Sequence, residues 1–398
     1  MLCSDGLFTS ESVSAGHPDK LCDRISDGIL DAFLSLDSHS RVACQTFAAN
    51  QKILVAGEFR TRDPAHFDAV QRQAESIVRE TLRQAGYGRA DLDIDPDLCD
   101  VEIRFNRQSP QIAAGVDQAG GVLGAGDQGI MFGHATDETE ALMPLAWSLA
   151  TDLIARGMSV RGAPGSPLRP DAKSQVTIRY RNGKPAGVQT VLVSWQHQPD
   201  ASVEDVRRYV SSQVVDAVIP LPLRAADFRL IVNPAGPWTL GGPKADTGLT
   251  GRKNIVDTYG GACPHGGGAL SGKDPSKVDR SGAYAARYVA KHVVAAGLAR
   301  RCTVQVAYAI GRPDPVSLAV DLHGTGRVAN DVLTAAVPAV FDLTPAGILR
   351  ELDLLRPIYS ATAVLGHFGR WRNPDVFPWE RTPRVADLLR AVAAQFTM

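Results

Sequence analysis

The chain has 398 residues, with 42 basic and 43 acidic side chains and a formal net charge of −1. This length is enough for two or three domains with a large core, and the balanced charge does not indicate a general nucleic-acid surface. No run of about 18 apolar residues is present, and the first six residues lack a cationic segment before an apolar stretch, so we expect a soluble, cytoplasmic protein.

The six cysteines lack C-x-x-C spacing, which argues against zinc and against a disulfide framework and favours buried or inert thiols.

Helical and strand-like patterns recur along the chain in one order. A helix with apolar residues three and four apart is followed by two alternating strand-like segments and a second helix. The first helices are predicted at 20–36, 138–156 and 282–298, the strand pairs at 41–47 with 53–59, 175–180 with 188–195 and 303–310 with 317–323, and the second helices at 65–85, 203–215 and 329–340. A final helix is predicted near 385–396.

This recurrence predicts an α+β fold of three similar helix–hairpin–helix units, packed with their sheets inward and their helices outward. We place the domains approximately at 1–15 plus 135–240 for a central region, 16–134 for an N-terminal domain and 241–398 for a C-terminal domain. The segment 106–126 has few periodic signals, and loops of this length are typically functional lids or disordered segments.

The segment 266–280, with the sequence GGGALSGKDPSKVDR, carries the strongest chemical signal. Its small residues allow backbone N–H groups to approach an anion, while three cations and two carboxylates lie in the same stretch. This combination predicts a polyphosphate and metal site. Residues 267–273 nearly fit the phosphate-loop pattern, but Asp274 stands where that pattern has a hydroxyl residue, which weakens an ordinary nucleotide-hydrolase interpretation.

Four further motifs accompany this segment: GHPDK at 16–20, GAGDQG at 124–129, RPDAKSQ at 169–175 and DTGLTGRK at 246–253. Together the five motifs resemble the S-adenosylmethionine synthetase (methionine adenosyltransferase) family, from about residue 7 to nearly the C-terminus. The resemblance implies three similar α/β-sandwich domains with pseudo-threefold symmetry and a mobile loop at 106–126 that gates the active site. It also implies a homodimer with active sites at the interface, usually paired into a dimer of dimers.

The reaction implied by the resemblance joins the sulfur of L-methionine to C5′ of ATP by in-line attack. The products are S-adenosylmethionine and triphosphate, which is then hydrolysed to diphosphate and phosphate. Because charge builds on the departing triphosphate, the chemistry needs cations, metal ions and correct positioning, and it needs no covalent nucleophile on the enzyme.

The resemblance also assigns roles to single residues. His17 contacts the leaving oxygen and is assigned to catalysis together with Lys173, Arg252, Lys273 and Lys277. The same four cations and Lys253 bind the triphosphate. Two Mg²⁺ ions per site are assigned to Asp19 and Asp279. The nucleotide is contacted by Asp171, Asp246 and Trp238, where the family commonly has a Phe that stacks on adenine, and methionine is held by Glu58, Gln108, Asp127, Asp246 and Lys277.

One position departs from the family pattern in a way that bears on a cofactor. Gln45 stands where the family usually has a glutamate that binds K⁺, and an amide oxygen contributes no net charge, so we expect weakened or absent K⁺ binding. Three alternatives to the transferase remain: a paralogue that uses a modified methionine, an ATP or tripolyphosphate hydrolase, and a silent regulatory subunit that binds nucleotide.

Overall fold

The computed structural model describes residues 5–108 and 123–396. Its strands are β1 (Gly6–Val13), β2 (Arg41–Ala49), β3 (Lys52–Arg60), β4 (Asp100–Arg107), β5 (Gly129–Thr136), β6 (Leu168–Arg181), β7 (Lys184–His197), β8 (Arg224–Val232), β9 (Gly248–Leu249), β10 (Arg301–Tyr308) and β11 (Ser317–Asp321). Its helices are α1 (Pro18–Leu36), α2 (Pro64–Ala85), α3 (Leu145–Val160), α4 (Val203–Tyr209), α5 (Asp216–Val218), α6 (Asn254–Asp257), α7 (Val278–Ala295), α8 (Asn330–Val340), α9 (Pro345–Glu351), α10 (Thr362–Leu365) and α11 (Val385–Ala394). A π-helical turn at Val210–Val215 continues α4, and 3₁₀ turns lie at Leu221–Leu223, Gly242–Lys244 and Pro378–Glu380.

The strands form three sheets, with the orders β1-β6-β7-β8, β4-β3-β2-β9 and β11-β10-β5. Each sheet contains one predicted hairpin, because β2–β3, β6–β7 and β10–β11 pair antiparallel. A strand from a distant part of the chain then joins each hairpin: β9 pairs with β2, β1 with β6 and β5 with β10. Strand β5 runs across the domain boundary predicted at residue 134, and the three boundaries remain a proposal.

Helices cover one face of each sheet. Helices α1 and α2 pack on β2, β3 and β4, helix α3 packs on β1 and β6, and α7 packs on β5 and β10. One continuous apolar core joins the first and third of these layers, while the layer around β6 and β7 has its own core. The α+β prediction is therefore confirmed. Five cysteines in the described residues are free and buried, as predicted.

The helix predicted at 138–156 begins later than the sequence pattern indicated. Helix α3 starts at Leu145, directly after Pro144, and 138–144 form turns instead. The carboxylate of Glu138 accepts a hydrogen bond from the Leu145 backbone N–H at 3.0 Å, so this residue satisfies a free donor at the helix start. The apolar residues at 141–143 fit a helical spacing in the sequence, but they form a turn and pack against the core.

The segment predicted to be a gating loop, 106–126, lies largely outside the described residues, since 109–122 are not among them. Its described ends are held by the backbone. The Gln108 N–H donates to the Phe59 carbonyl at 2.9 Å, and the Ala125 N–H donates to the Arg312 carbonyl at 2.9 Å. The gating role stays a prediction.

Within residues 5–108 and 123–396, no single helix has the length and apolar character needed to cross a membrane. The bent pair α8 and α9 meets the test together, on length and composition alone.

A buried ion network ties the third unit together around Arg287 of α7. All five of its guanidinium N–H groups have acceptors: the Glu380 carboxylate and the carbonyls of His134, Ala141 and Leu142. Lys291 also donates to Glu380, at 2.7 Å. Because all three charged side chains are buried and paired, this network fixes the C-terminal segment and the end of β5 on α7.

Candidate active site

Helix α1 presents its first turn as one part of the site. His17 occupies the N-cap, Pro18 takes the first helical position, and the His17 Nδ1 accepts a hydrogen bond from the Asp19 backbone N–H at 3.2 Å. Gly16 before it has no room for a side chain, since a Cβ would lie 2.5 Å from the Pro170 carbonyl oxygen. The chain therefore enters the helix in one orientation, with the imidazole almost fully buried.

The His17 imidazole is neutral. Burial, followed by the positive charges of Lys253 and Lys173, lowers its pKa from 6.5 to about 3. Because Nδ1 accepts a hydrogen bond, the proton of the neutral ring must be on Nε2. This N–H is a preformed donor.

Asp19 forms ion pairs with the two cations of the 246–253 motif. Its carboxylate accepts from the Leu249 N–H at 3.0 Å and from Lys253 Nζ at 2.5 Å, and it forms an ion pair with Arg252, whose Nε lies 2.9 Å from Oδ1. Burial alone would raise the pKa of Asp19, but the hydrogen bonds from Lys253 and Leu249 and the Lys253 charge outweigh it and lower that pKa. Lys173 on β6 is exposed but close enough to lower the His17 pKa.

The predicted nucleotide contacts lie beside this first group. Asp171 is buried, and burial raises its pKa to about 7 although the Gly242 N–H donates to its Oδ2 at 3.0 Å. Its Oδ1 is buried without a hydrogen-bond partner. Asp246 is exposed and contributes to the raised Asp171 pKa, and the Trp238 indole N–H donates to the Leu240 carbonyl at 2.8 Å. An unpartnered buried carboxylate oxygen beside an exposed carboxylate provides acceptors for a ligand's N–H or O–H groups.

A second group is built on the glycine-rich loop before α7. Lys273 Nζ lies 2.6 Å from Asp279 Oδ2, and Lys277 pairs with Asp274. Asp279 lies in the first turn of α7, where a helix favours negative charge. Gly268 allows the loop to pass over it, because a Cβ at that position would lie 2.2 Å from Asp279 Oδ1.

Of the predicted methionine contacts, Lys277 belongs to the second group and Asp246 lies near the first, while Glu58, Gln108 and Asp127 lie on β3, after β4 and before β5. Glu58 is exposed on β3 opposite Ala43, and Ala43 forms a bridge with Lys273, so Glu58 adjoins this loop. Gln108 follows β4 and has a buried side-chain oxygen without a partner. Asp127 is exposed and accepts from the Gln128 N–H at 2.8 Å.

The structure thus brings the ion-paired site residues together in two groups on one chain. In the described parts of the chain, no side-chain hydrogen bond or ion pair joins the first group, around Asp19, to the second, around Asp279. Each of the cations Arg252, Lys253, Lys273 and Lys277 is already paired with a carboxylate, and Arg252 and Lys253 share Asp19.

Three family models match consecutive parts of the chain. They are the N-terminal, central and C-terminal domains of S-adenosylmethionine synthetase, at residues 5–110, 122–238 and 240–381. Relatives named S-adenosylmethionine synthase, from a Nitratiruptor species and from Wolinella succinogenes, are each 51% identical over 96% of this chain and 97% of their own length.

The chain belongs to the S-adenosylmethionine synthetase family. Members of this family bind ATP and methionine and normally use Mg²⁺ and K⁺. The α+β fold agrees with the three-domain architecture of this family.

The carboxylates fit the family's use of Mg²⁺. No cluster of three or more His, Cys, Asp or Glu side chains that could hold a metal lies in residues 5–108 and 123–396. Mg²⁺ typically takes one or two carboxylates and completes its shell with phosphate oxygens and water, so single carboxylates such as Asp19 and Asp279 suit it. Gln45 is exposed on β2 opposite Ala56. Neither side chain carries a negative charge that could attract K⁺.

Sequence reasoning missed a set of buried charges in the same helix. Lys20, Asp23 and Asp27 are all buried, and Asp23 and Asp27 follow Asp19 at intervals of four residues. That spacing places the carboxylates on one helix face and was readable from the sequence. The signal was ambiguous because a row of aspartates on a helix usually faces water.

Proposed function

We infer that this chain is a methionine adenosyltransferase, and we propose that each active site uses both groups of residues. The observation that carries the assignment of roles is the geometry at the start of α1. The buried His17 ring accepts the Asp19 N–H on Nδ1, which leaves Nε2 as the donor, two residues before the carboxylate that Arg252 and Lys253 contact. A site with a fixed donor and several cations next to carboxylates suits displacement of a polyphosphate.

In the proposed reaction the methionine sulfur donates a lone pair to C5′ of ATP while the C5′–O bond breaks. The triphosphate leaves with the bonding electrons, and the sulfur becomes a sulfonium. His17 donates its Nε2–H to the leaving oxygen, and a neutral donor can do so without losing its proton. The cations Lys173, Arg252, Lys253, Lys273 and Lys277 hold the triphosphate, and Glu58, Gln108, Asp127 and Asp246 hold methionine.

Ligand binding would exchange the partners of these cations. Arg252, Lys253 and Lys273 now pair with Asp19 and Asp279. A triphosphate would attract the cations and free these carboxylates, which are the residues that would hold Mg²⁺. When bound, Mg²⁺ would neutralise further phosphate charge. The paired state keeps both carboxylates and cations ordered before substrate arrives.

We propose that a second copy of the chain completes each site. Strands β2, β3 and β9 present an outer face with exposed apolar side chains, including Phe47 at 40% and Leu249 at 37% exposure. Glu58 lies on that face, on the neighbouring strand. Burying the face against a second copy would cover these side chains and bring the second group of one chain to the first group of another.

The experiment is to incubate the purified protein with ATP, Mg²⁺ and L-methionine, with and without K⁺, and to measure the adenosyl-sulfonium and the released phosphates. Methionine-dependent sulfonium supports the transferase. Phosphate release without sulfonium would instead indicate the hydrolase, and a modified methionine as the required substrate would indicate a paralogue. No turnover would indicate a regulatory subunit.

The exposed amide of Gln45 leads to a prediction about K⁺ activation. We expect Gln45→Glu to raise K⁺ activation, because a carboxylate on β2 adds a full negative charge for an alkali cation. The measurement is the rate as a function of K⁺ concentration. Gln71→Glu, which makes the same charge change on the exposed side of α2, is the control. An unchanged K⁺ response in Gln45→Glu would contradict the idea.

A further inference from the structure

Helix α1 carries a column of four aspartates, Asp19, Asp23, Asp27 and Asp31, at intervals of four residues. Each carboxylate accepts backbone N–H groups from a segment that arrives much later in the chain. Asp19 accepts from Leu249 at 3.0 Å, Asp23 from Gly251 at 2.8 Å, Asp27 from Gly272 at 2.8 Å, and Asp31 from Tyr359 and Ser360 at 2.9 and 2.7 Å. One helix face therefore fixes the positions of three separate loops.

The second carboxylate of the column is linked to a further buried pair. Asp23 Oδ2 accepts from Lys20 Nζ at 3.2 Å, and the same ammonium lies 2.7 Å from both oxygens of Asp257. The three side chains are between 1% and 5% exposed. Because little solvent reaches this cluster, water would not replace a lost partner readily.

These contacts bracket Arg252 and Lys253 on both sides. Asp23 accepts the backbone N–H of Gly251, immediately before them. Lys20 contacts the Asp257 side chain at the end of α6, and the Asp257 N–H donates to the Lys253 carbonyl at 2.8 Å. Gly251 has a φ of +82°, and a Cβ there would lie 2.5 Å from the Cβ of Ala269. The turn that directs the two cations toward Asp19 is thus held in one conformation.

We propose that Asp23, acting with Lys20 and Asp257, is a positioning residue for the phosphate-binding cations Arg252 and Lys253. This inference rests on the proposed function. Asp23 holds the turn through its bond to Gly251 and balances the ammonium that holds α6. Loss of its carboxylate leaves Lys20 with Asp257 as its one carboxylate partner and allows the 251–257 segment to shift.

Asp31→Asn is the matched control for Asp23→Asn. Asp31 belongs to the same column, is partly buried and accepts two backbone N–H groups, but the segment it holds, 359–360, carries no proposed site residue. Both substitutions keep the shape of the side chain and replace a carboxylate with an amide. A general weakening of α1 contacts would affect the two variants alike.

The test measures kcat and KM for ATP and for added inorganic tripolyphosphate, and KM for methionine, in wild type and both variants. Thermal unfolding determines the folded fraction of each protein. In Asp23→Asn we expect kcat/KM for ATP and for tripolyphosphate to fall by about 10- to 100-fold, as a displaced catalytic group typically does. The KM for methionine should change less than about threefold, and Asp31→Asn should stay within about threefold of wild type throughout.

Equal kinetic changes in Asp23→Asn and Asp31→Asn, or wild-type kinetics in Asp23→Asn, would overturn the positioning role while the transferase activity stands. A wild-type protein that makes no sulfonium would instead overturn the proposed function. If Asp23→Asn does not fold, Asp257→Asn decides the question, because it removes the other carboxylate on Lys20 and should raise the KM for ATP and tripolyphosphate without raising that for methionine. Unchanged KM values in a folded Asp257→Asn would then overturn the inference.

Discussion

Replacing His17 with asparagine is expected to lower kcat by about 10²- to 10³-fold, the loss that follows removal of one transition-state donor. Asparagine is a favourable N-cap, so its side-chain oxygen can still accept the Asp19 N–H that the imidazole accepts now. The helix start should therefore persist while the Nε2–H donor is lost. Because the donor acts mainly on charge that forms in the transition state, KM for ATP should change little.

Steady-state kinetics of the His17→Asn variant against wild type check this, with His39→Asn as the control. His39 lies in the turn after α1, where its backbone N–H donates to the Asp37 carboxylate at 3.0 Å. The control should keep kcat within about twofold, in line with the small effects of most surface substitutions. A loss in His17→Asn of less than tenfold, or a loss that tracks a matching drop in melting temperature, would show that His17 serves the helix and not the chemistry.

Replacing Arg287 with methionine should lower the free energy of unfolding by about 3–5 kcal/mol, because it removes one of two cations from a buried carboxylate and leaves three carbonyls without their donor. The substitution removes five hydrogen bonds at once and leaves Glu380 with Lys291 as its remaining cation. The carbonyls of His134, Ala141 and Leu142 also lose their donor. Methionine is shorter than arginine by the guanidinium carbon and its two terminal nitrogens, so a small cavity adds to the loss.

Arg300→Met provides the comparison, since the Arg300–Asp137 pair spans 3.1 Å with both side chains 43% exposed. An exposed pair of this kind is worth about 0–1 kcal/mol. Denaturant titration of both variants at one protein concentration gives the two values. A loss in Arg287→Met within about 1 kcal/mol of that in Arg300→Met would contradict a structural role for the network.

The sequence was informative wherever local patterns decide the structure. The hairpins β2–β3 and β10–β11 have strong alternation, and the helices around 20–36 and 65–85 have strong apolar spacing, so both kinds of element were predicted close to their observed bounds. The glycine-rich loops were also recognisable, because a backbone that must pass close to Asp279 leaves glycine as the residue that fits at 268.

Other features depend on partners that are distant in the chain. Nothing in Gly6–Val13 shows that it pairs with β6, and nothing in Asp23 shows that its carboxylate is buried against Gly251 and Lys20. The neutral state of His17 likewise depends on burial and on Lys173 and Lys253, which come from other motifs. Family resemblance supplied the roles of these residues, while the structure supplied their charges and partners.

The pairing of β1 with β6 has a consequence for synthesis on the ribosome. Ser10 pairs with Val176, so the ribosome must add about 160 residues after β1 before β6, its partner strand, has been synthesised. At about 5–20 residues per second, that delay is on the order of ten seconds or more. The exposed edge of β1 is open to wrong pairing during this time, and we expect nascent chains stalled before residue 168 to depend on chaperones for solubility.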